Sequence, residues 1–264
     1  MDKQQSSKRW VLITGASRGI GEAFARRFAK EGWNLILVAR TLSDLETLVR
    51  DLKNQDSIQT KVIVADLSDR KGPQQVYDEI KRAGITLDGL VNNAGCGVSG
   101  NFLEASLDRY LSMVDVNVYA LLELTHRFLP EMIRAKKGLM INVSSTASFQ
   151  PLPGASVYSA TKAFVTFLTE AIWLETRGSG VRVINLCPGW TKTDFAKTSG
   201  GRDIRKMPLA ETTDQVIESA FRAIHGKMPT VISGVHNRVV SVLVRFLPRR
   251  CLFWLVGLAR KIKS

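Results

Sequence analysis

The twelve residues Trp10–Gly21, WVLITGASRGIG, restrict the possible folds more than any other part of the chain. An apolar, β-rich run leads straight into glycines, and GEAFARRFAKEG then continues with apolar residues at helical spacing. A buried strand that must turn into a helix within a few residues is the first half of a strand–helix–strand unit. The alternation continues. WNLILVAR reads as a strand, and SDLETLVRDLKNQ as a helix with Ser43 and Glu46 spaced as a capping box. TKVIVAD is a strand, PQQVYDEIKRAG a helix and LDGLVNNAG a fourth strand. A long helical region follows from Ser106 to Ala135. The strand GLMINVSS, a helix from Val157 to Thr176, the strand VRVINLCPG, a helix near Thr213 to Gly226 and the short strand TVISG complete the pattern. The expected class is α/β: a parallel sheet of about seven strands with helices on both faces.

No repeat or linker interrupts this pattern, so residues 8–234 read as one domain and 235–264 as a helical C-terminal appendage. With 264 residues, 45% of them apolar and 23% charged, the chain can bury a full core. Its net charge of +13 is lopsided: from Ser219 onward there are nine Lys or Arg and no Asp or Glu. Nucleic acid, an anionic membrane surface or an acidic substrate would each suit such a segment. No nucleic-acid recognition motif accompanies the charge, so nucleic acid is not expected as a partner. Cys96, Cys187 and Cys251 are odd in number and far apart, and His126, His225 and His236 form no cluster. Neither a disulfide framework nor a metal site is expected, which suits a reducing cytoplasm. The start MDKQQSSKRW lacks the apolar core of a signal peptide. No apolar run reaches the ~18 residues of a membrane-spanning helix.

The stretch TGASRGIG sits where a dinucleotide-binding fold holds a pyrophosphate. Gly15, Gly19 and Gly21 permit the turn and the close backbone approach, and the following helix offers free N–H groups. Gly15, Ser17, Arg18, Gly19, Ile20 and Gly21 are therefore the candidate phosphate cradle of a Rossmann-type, doubly wound sheet. The end of the second strand carries Arg40, nineteen residues beyond Gly21, instead of an acidic residue. Arg40 and Arg18 together suit a ribose 2′-phosphate, which makes NADP(H) the expected cofactor. The alternative is that Arg40 pairs with Asp44. Asp66, closing the third strand, either accepts from an adenine amino group or caps the next helix, where Ser68 is a rival cap. NNAG places Asn93, Ala94 and Gly95 at the end of the fourth strand, on the ligand-binding edge of such a sheet.

TGASRGIG, NNAG, Asn117 in DVNVYA, the NVSS strand, YSATK and CPG occur in an order and spacing similar to the short-chain dehydrogenases/reductases, in their shorter branch. The likeness covers about Arg9 to Gly234. It implies Tyr158 as proton donor, Lys162 as its partner and nicotinamide-ribose contact, Ser145 as substrate orienter and Asn117 as a helix-kink residue. Ser145, thirteen residues before Tyr158 and twenty-eight after Asn117, fits the family spacing where Ser144 does not. The resemblance further implies Pro188, Gly189, Thr191 and Thr193 around the nicotinamide carboxamide, and a homodimer built on the helices near 106–135 and 157–176.

Chemistry leads the same way. A free phenol has a pKa of about 10. An ammonium one helical turn away favours phenolate, and Tyr158 so tuned can protonate an oxyanion held by Ser145 as hydride arrives at carbon. Through water, Asn117 can link Lys162 to solvent. The expected activity is NADP(H)-dependent reduction of a carbonyl or oxidation of an alcohol. The rival is a non-catalytic NADP-binding or membrane-docked regulatory protein on the same fold.

Ala196–Thr213 reads as a lid with Gly200 and Gly201 as hinges, or else as a surface loop. Phe149, Leu152, Val157 and Trp190 are candidates for an apolar pocket that would take a ketone or aldehyde on a greasy skeleton, although Trp190 equally suits lid packing. Arg202, Arg205 and Lys206 either steer an acidic carrier or are solvated. In the appendage Pro248 splits two helical segments. The second, Arg249 to Lys263, either lies in a bilayer interface with Phe253 and Trp254 downward, making the protein peripheral at a membrane surface, or packs on the domain or a partner subunit.

Overall fold

A computed structural model describes residues 9–53, 58–201, 203–205 and 207–261. It is a single α/β domain with two helices at its C-terminus. Seven parallel strands, β1 (Trp10–Thr14), β2 (Asn34–Ala39), β3 (Thr60–Val64), β4 (Gly89–Asn92), β5 (Gly138–Val143), β6 (Val181–Cys187) and β7 (Thr230–Ile232), lie in the order β3-β2-β1-β4-β5-β6-β7. The order reverses between β1 and β4, so a crevice opens at their C-terminal ends.

Strand alternation divides the core into two layers. Val11, Ile13, Leu35, Leu37, Ile141 and Ile184 face one side. There they meet α1 (Gly19–Lys30), α2 (Leu42–Lys53) and α8 (Thr213–Ile224). Leu12, Ile36, Val38, Leu90, Met140 and Val183 face the other. That layer is covered by α3 (Gly72–Arg82), α5 (Ala120–Arg134) and α6 (Ser156–Glu175). The helices keep the matching period: Phe24 and Phe28 on α1, Leu45, Leu48 and Leu52 on α2, and Leu124, Phe128 and Met132 on α5 are all buried. Each such side chain contributes about 1.5–3 kcal/mol of burial.

The second layer also contains a polar row. Asn92, Asn142 and Asn185 are in register across β4, β5 and β6, and all are buried. Asn92 Nδ2 donates to Asn142 Oδ1 (2.9 Å) and to Thr125 Oγ1 on α5 (3.1 Å). Asn142 Nδ2 donates to Thr169 Oγ1 (3.0 Å), and Asn185 Nδ2 to Thr166 Oγ1 (3.3 Å), both on α6. Buried amides cost free energy unless they are paired, so this row ties α5 and α6 to one position along the strands.

Two local expectations are corrected. Ser43 does not cap α2: the helix already begins at Leu42, and the Ser43 carbonyl accepts from Thr47 Oγ1 inside it. The helical region from Ser106 to Ala135 is not uniform. It consists of α4 (Leu107–Val114), a π-helical turn (Asp115–Tyr119) and α5, with Asn117 at the middle of the turn.

At the C-terminus, α9 (Val235–Phe246) and α10 (Arg249–Lys261) are separated by Leu247 and Pro248. Proline keeps its predecessor out of the helical region, and Leu247 is extended (φ −71°, ψ 132°). Among the described residues, no helix is long and apolar enough to cross a membrane.

A Cβ on Gly21 would collide with the Gly15 carbonyl oxygen and lie 2.5 Å from Asn93 Nδ2. Gly257, within α10, has no such neighbour. Gly21→Ala should lower the thermal midpoint by about 3–10 °C, since overpacking costs about 1–3 kcal/mol. Gly257→Ala should leave it unchanged or raise it slightly. Thermal denaturation of both variants checks this, and an unaltered midpoint for Gly21→Ala contradicts the packing described.

Candidate active site

The crevice at the strand ends is an open cleft of about 2500 Å³. Every predicted catalytic and cofactor-binding residue lines it except Gly21 and Asn117, which lie behind its wall. Its volume exceeds the roughly 300–1,000 Å³ of an ordinary small-ligand pocket, leaving room for a dinucleotide and a second molecule.

One end is built to receive phosphate. Gly15 and Gly19 have φ of 63° and 60°, conformations open to glycine. Arg18, preceding α1, is extended and provides no side-chain cap, so the first-turn N–H groups of α1 keep no side-chain partner. Arg18 and Arg40 are exposed at the rim, and neither forms an ion pair among the described residues, including with Asp44. Asp66 Oδ1 accepts from the Ser68 N–H (2.9 Å) and Ser68 Oγ (2.8 Å). Neither Asp66 nor Ser68 caps α3, whose first residue follows Lys71 with no side-chain cap.

Asn93 stabilises the glycine loop directly: its Nδ2 donates to the carbonyl oxygens of Thr14 (2.9 Å) and Gly15 (3.2 Å). Thr14 Oγ1 in turn accepts from the N–H groups of Asn93 and Ala94, each at 3.0 Å. Thr14 was not singled out from sequence, although a hydroxyl residue ending an otherwise apolar strand was the available signal. The donor set of this end, helix N–H groups and two unpaired guanidiniums, fits a phosphorylated dinucleotide.

The other end gathers the titratable groups. β5 ends at Val143, and the chain turns through Ser144 and Ser145 toward α6. Ser144 faces inward: its Oγ donates to the Lys162 carbonyl (2.8 Å) and shares a hydrogen bond with Thr166 Oγ1 (2.8 Å). Ser145 faces the cleft, its Oγ accepting from the Ala147 N–H (3.1 Å) and donating to the Pro188 carbonyl (3.4 Å). Lys162 is buried, with Nζ donating to the Val143 carbonyl (2.8 Å) and lying 5.9 Å from the Tyr158 ring centroid. Gly95 makes this possible, because a Cβ there would lie 3.4 Å from Lys162 Nζ and 3.3 Å from Asn117 Oδ1.

The expected acidification of the phenol is not seen in the protein alone. Burial pushes Tyr158 up to about 12, and the Ser145 hydrogen bond pulls only partly the other way. Burial likewise lowers Lys162 to about 8. Desolvation thus outweighs the attraction between the two groups here.

Asn117, at the middle of the π-helical turn, is buried and fully engaged through its side-chain amide. Its Oδ1 accepts from the Cys96 N–H (2.9 Å), and its Nδ2 donates to the Cys96 carbonyl (3.0 Å) and Thr161 Oγ1 (3.0 Å). The side chain therefore braces the segment after β4 against α6.

After β6, the Pro188 carbonyl accepts from the Thr146 N–H (2.9 Å) and Thr191 Oγ1 donates to the Gly189 carbonyl (3.1 Å). Thr193 packs over the glycine loop, where a Cβ on Gly19 would lie 3.2 Å from its Cγ2. The segment 196–213, where it is described, is packed and not loose. It includes most of α7 (Phe195–Thr198), buried Ile204 and Ala210, and Gly200 at φ 79°.

Phe195 places its ring 5.6 Å from that of Tyr158 and was not singled out from sequence, although it lies only two residues beyond Thr193. Leu152 and Trp190 line the cleft, but Phe149 and Val157 do not, and Val157 packs instead with Val98, Tyr110 and Met113. Arg205 is paired with Asp203 (2.6 Å) and Asp194 (3.1 Å), which removes it as a free cation for an acidic carrier. Arg202 and Lys206 lie outside the described residues. Glu211 and Asn237 were also missed: Glu211 Oε2 accepts from Ser233 Oγ (2.5 Å) and Asn237 Nδ2 (3.1 Å), joining the 196–213 segment, the end of β7 and α9.

Comparison with known proteins agrees with this geometry. The family model described as short chain dehydrogenase matches residues 9–203. Sulfoacetaldehyde reductase 2 of Chromohalobacter salexigens is 38% identical over 195 residues, 73% of this chain and 77% of that protein. The very-long-chain 3-oxoacyl-CoA reductase of Rattus norvegicus is 30% identical over 248 residues, 90% of this chain and 76% of that protein. A short-chain dehydrogenase from Sphingobium yanoikuyae, solved with NADPH, superposes with a TM-score of 0.81 at 29% identity, covering 91% of this chain and 96% of that one. The same fold is also solved with NAD, in a 3-oxoacyl-[acyl-carrier protein] reductase from Brucella melitensis at 26% identity and a TM-score of 0.73, covering 86% of this chain and 90% of that one. With the family model spanning most of the sheet and the cleft, the chain belongs to the short-chain dehydrogenase/reductase family of oxidoreductases.

Proposed function

We propose that this chain is an NADP(H)-dependent carbonyl reductase, with Tyr158 as the general acid and base. The carrying observation is the arrangement of one cleft: a phosphate cradle flanked by Arg18 and Arg40 at one end, Ser145, Tyr158 and Lys162 at the other. Gly15, Ser17, Gly19, Ile20 and the α1 N-terminus would hold the pyrophosphate, with Gly21 closing the turn behind them. Asp66 and Asn93–Gly95 border the adenosine and ribose positions, Pro188, Gly189, Thr191 and Thr193 the nicotinamide. When bound, the cofactor supplies or accepts the hydride.

The chain's own residues manage the proton. Ser145 Oγ hydrogen-bonds the substrate oxygen and stabilises its developing negative charge. Tyr158, a neutral phenol at physiological pH, gives that oxygen its proton in reduction and takes it back in oxidation. Lys162 holds a positive charge at neutral pH beside the ring, favouring phenolate at the moment the proton leaves. Asn117 is a positioning residue acting through Cys96 and α6.

The substrate end is walled by Leu152, Trp190, Phe195, Met207 and Leu209, which suits an apolar carbonyl compound. The family names alone do not select one, since relatives act by name on compounds as different as sulfoacetaldehyde and a very-long-chain 3-oxoacyl-CoA. Exposed Leu111, Phe164, Phe167 and Leu174 on α4 and α6 form an apolar face suited to a homodimer. The free thiols of Cys96, Cys187 and Cys251 suit a cytoplasmic setting.

A panel of ketones and aldehydes, followed by NADPH consumption, tests the reading. Tyr158→Phe should bind NADPH as the natural chain does and lose at least ~100-fold in turnover. Turnover persisting in that variant removes Tyr158 as the proton donor, and a panel with no substrate at all favours the non-catalytic rival. Arg18→Ala and Arg40→Ala should each weaken NADPH binding by roughly 10- to 100-fold, the loss of a charge-assisted contact, and leave NADH binding little changed. Equal loss for both cofactors, measured by titration, contradicts the 2′-phosphate assignment.

A further inference from the structure

We propose that the outward faces of α9 and α10 dock on an anionic lipid bilayer, placing the substrate end of the cleft at the membrane surface. α9 is amphipathic in the inverted sense. Its inward residues are Asn237 and Ser241, with Val244 half-buried between them. Its outward stripe is Val235, Val239, Val242, Leu243 and Phe246, with Val235 75% and Phe246 82% exposed. A surface helix of a globular protein ordinarily turns such a stripe to the core. Here the orientation is fixed from inside, because Asn237 Nδ2 donates to Glu211 Oε2 (3.1 Å) and to the Ser233 carbonyl (2.9 Å). A Cβ on Gly189 would collide with the same Asn237 amide, so the helix is seated closely on the nicotinamide-side loop. α10 differs inside, burying Leu252, but likewise presents apolar residues outward: Phe253, Trp254, Leu255 and Leu258 are exposed.

The charge around these stripes selects the occupant. Arg238, Arg245, Arg249 and Arg250 are all exposed, and none is ion-paired among the described residues. No Asp or Glu follows Glu218 in the sequence. A symmetric contact with a second copy would set this cationic segment against itself with no local acid to neutralise it. An anionic bilayer satisfies both features: headgroups meet the arginines, and Phe246 and Trp254 enter the headgroup–acyl boundary. The inner side of α9 lines the cleft through Asn237, Val240 and Ser241. A membrane-partitioned compound would therefore have a short route to the site, and this consequence rests on the reductase reading. The docking itself does not.

Flotation of the full chain with phosphatidylglycerol-rich and with pure phosphatidylcholine vesicles tests the proposal, with light scattering on the same samples. The natural chain should float with the anionic vesicles and remain behind with the neutral ones, and raised salt should weaken the binding. Arg249→Ala with Arg250→Ala should reduce binding by tenfold or more, and Phe246→Ser with Trp254→Ser should abolish it. No flotation of the natural chain overturns the proposal, as does equal flotation of natural chain and variants. A natural chain that stays unbound, while Phe246→Ser with Trp254→Ser lowers its mass in solution, assigns the face to self-association instead. Because binding is read without turnover, either result leaves the reductase reading to its own test.

Discussion

A single buried hydrogen bond organises the reactive end of this protein: Lys162 Nζ to the Val143 carbonyl at 2.8 Å. It joins the end of the central strand β5 to α6 and fixes an ammonium under the Tyr158 ring. Much of the surrounding structure serves that placement. Gly95 leaves the space, Asn117 holds the Cys96 backbone against Thr161, and the row of Asn92, Asn142 and Asn185 sets the height of α6 on the sheet. The arrangement costs stability. Lys162 titrates at about 8 in the folded chain against its ordinary 10.5, a penalty of roughly 3 kcal/mol. The penalty is in full force below pH 8, where both folded and unfolded chains carry the proton. It is relieved as pH rises toward 10.5, where the unfolded chain binds more protons than the folded one. A buried charge kept at such a cost is what a reacting centre requires, and a non-catalytic scaffold would gain from replacing it.

The two ends of the cleft divide the electrostatic work. The first-turn N–H groups of α1 with Arg18 and Arg40 form a positive rim with no paired acid, suited to phosphate. The far end is apolar around Tyr158, and Phe195 closes over the phenol ring. The C-terminal helices belong to the second end. Through Glu211, Ser233 and Asn237 the segment ending at Thr213, the end of β7 and α9 are one hydrogen-bonded unit.

The sheet was legible because its signals are local. Apolar runs such as NLILVA become fully buried strands, and helices α1, α2 and α8 follow the period of their apolar residues. The glycine loop and the spacing of Ser145, Tyr158 and Lys162 sufficed to bring those residues to one cleft. The unread features depend on contacts between distant segments. Asparagine in a strand gives no sign of being buried until its threonine partners on α5 and α6 are in place. Glu211 and Asn237 reach the site from beyond the motifs. The π-helical turn is invisible to a periodicity of 3.6, and Arg205 is paired both with its sequence neighbour Asp203 and with Asp194, which folding brings near. The sign of the Tyr158 shift was misjudged for a related reason: sequence spacing gives the distance to a charge and says nothing of how much water has been removed.

The central claim is that burial holds the phenol of Tyr158 neutral despite Lys162, until bound oxidised cofactor adds a second positive charge beside it. Tyrosinate absorbance, taken as the difference between the natural chain and Tyr158→Phe across alkaline pH, reads that ionisation directly. The phenol should titrate near 12 in the protein alone, and markedly lower with oxidised NADP bound. A titration near the ordinary value of a free tyrosine without cofactor, or one that bound NADP does not move, would contradict the claim.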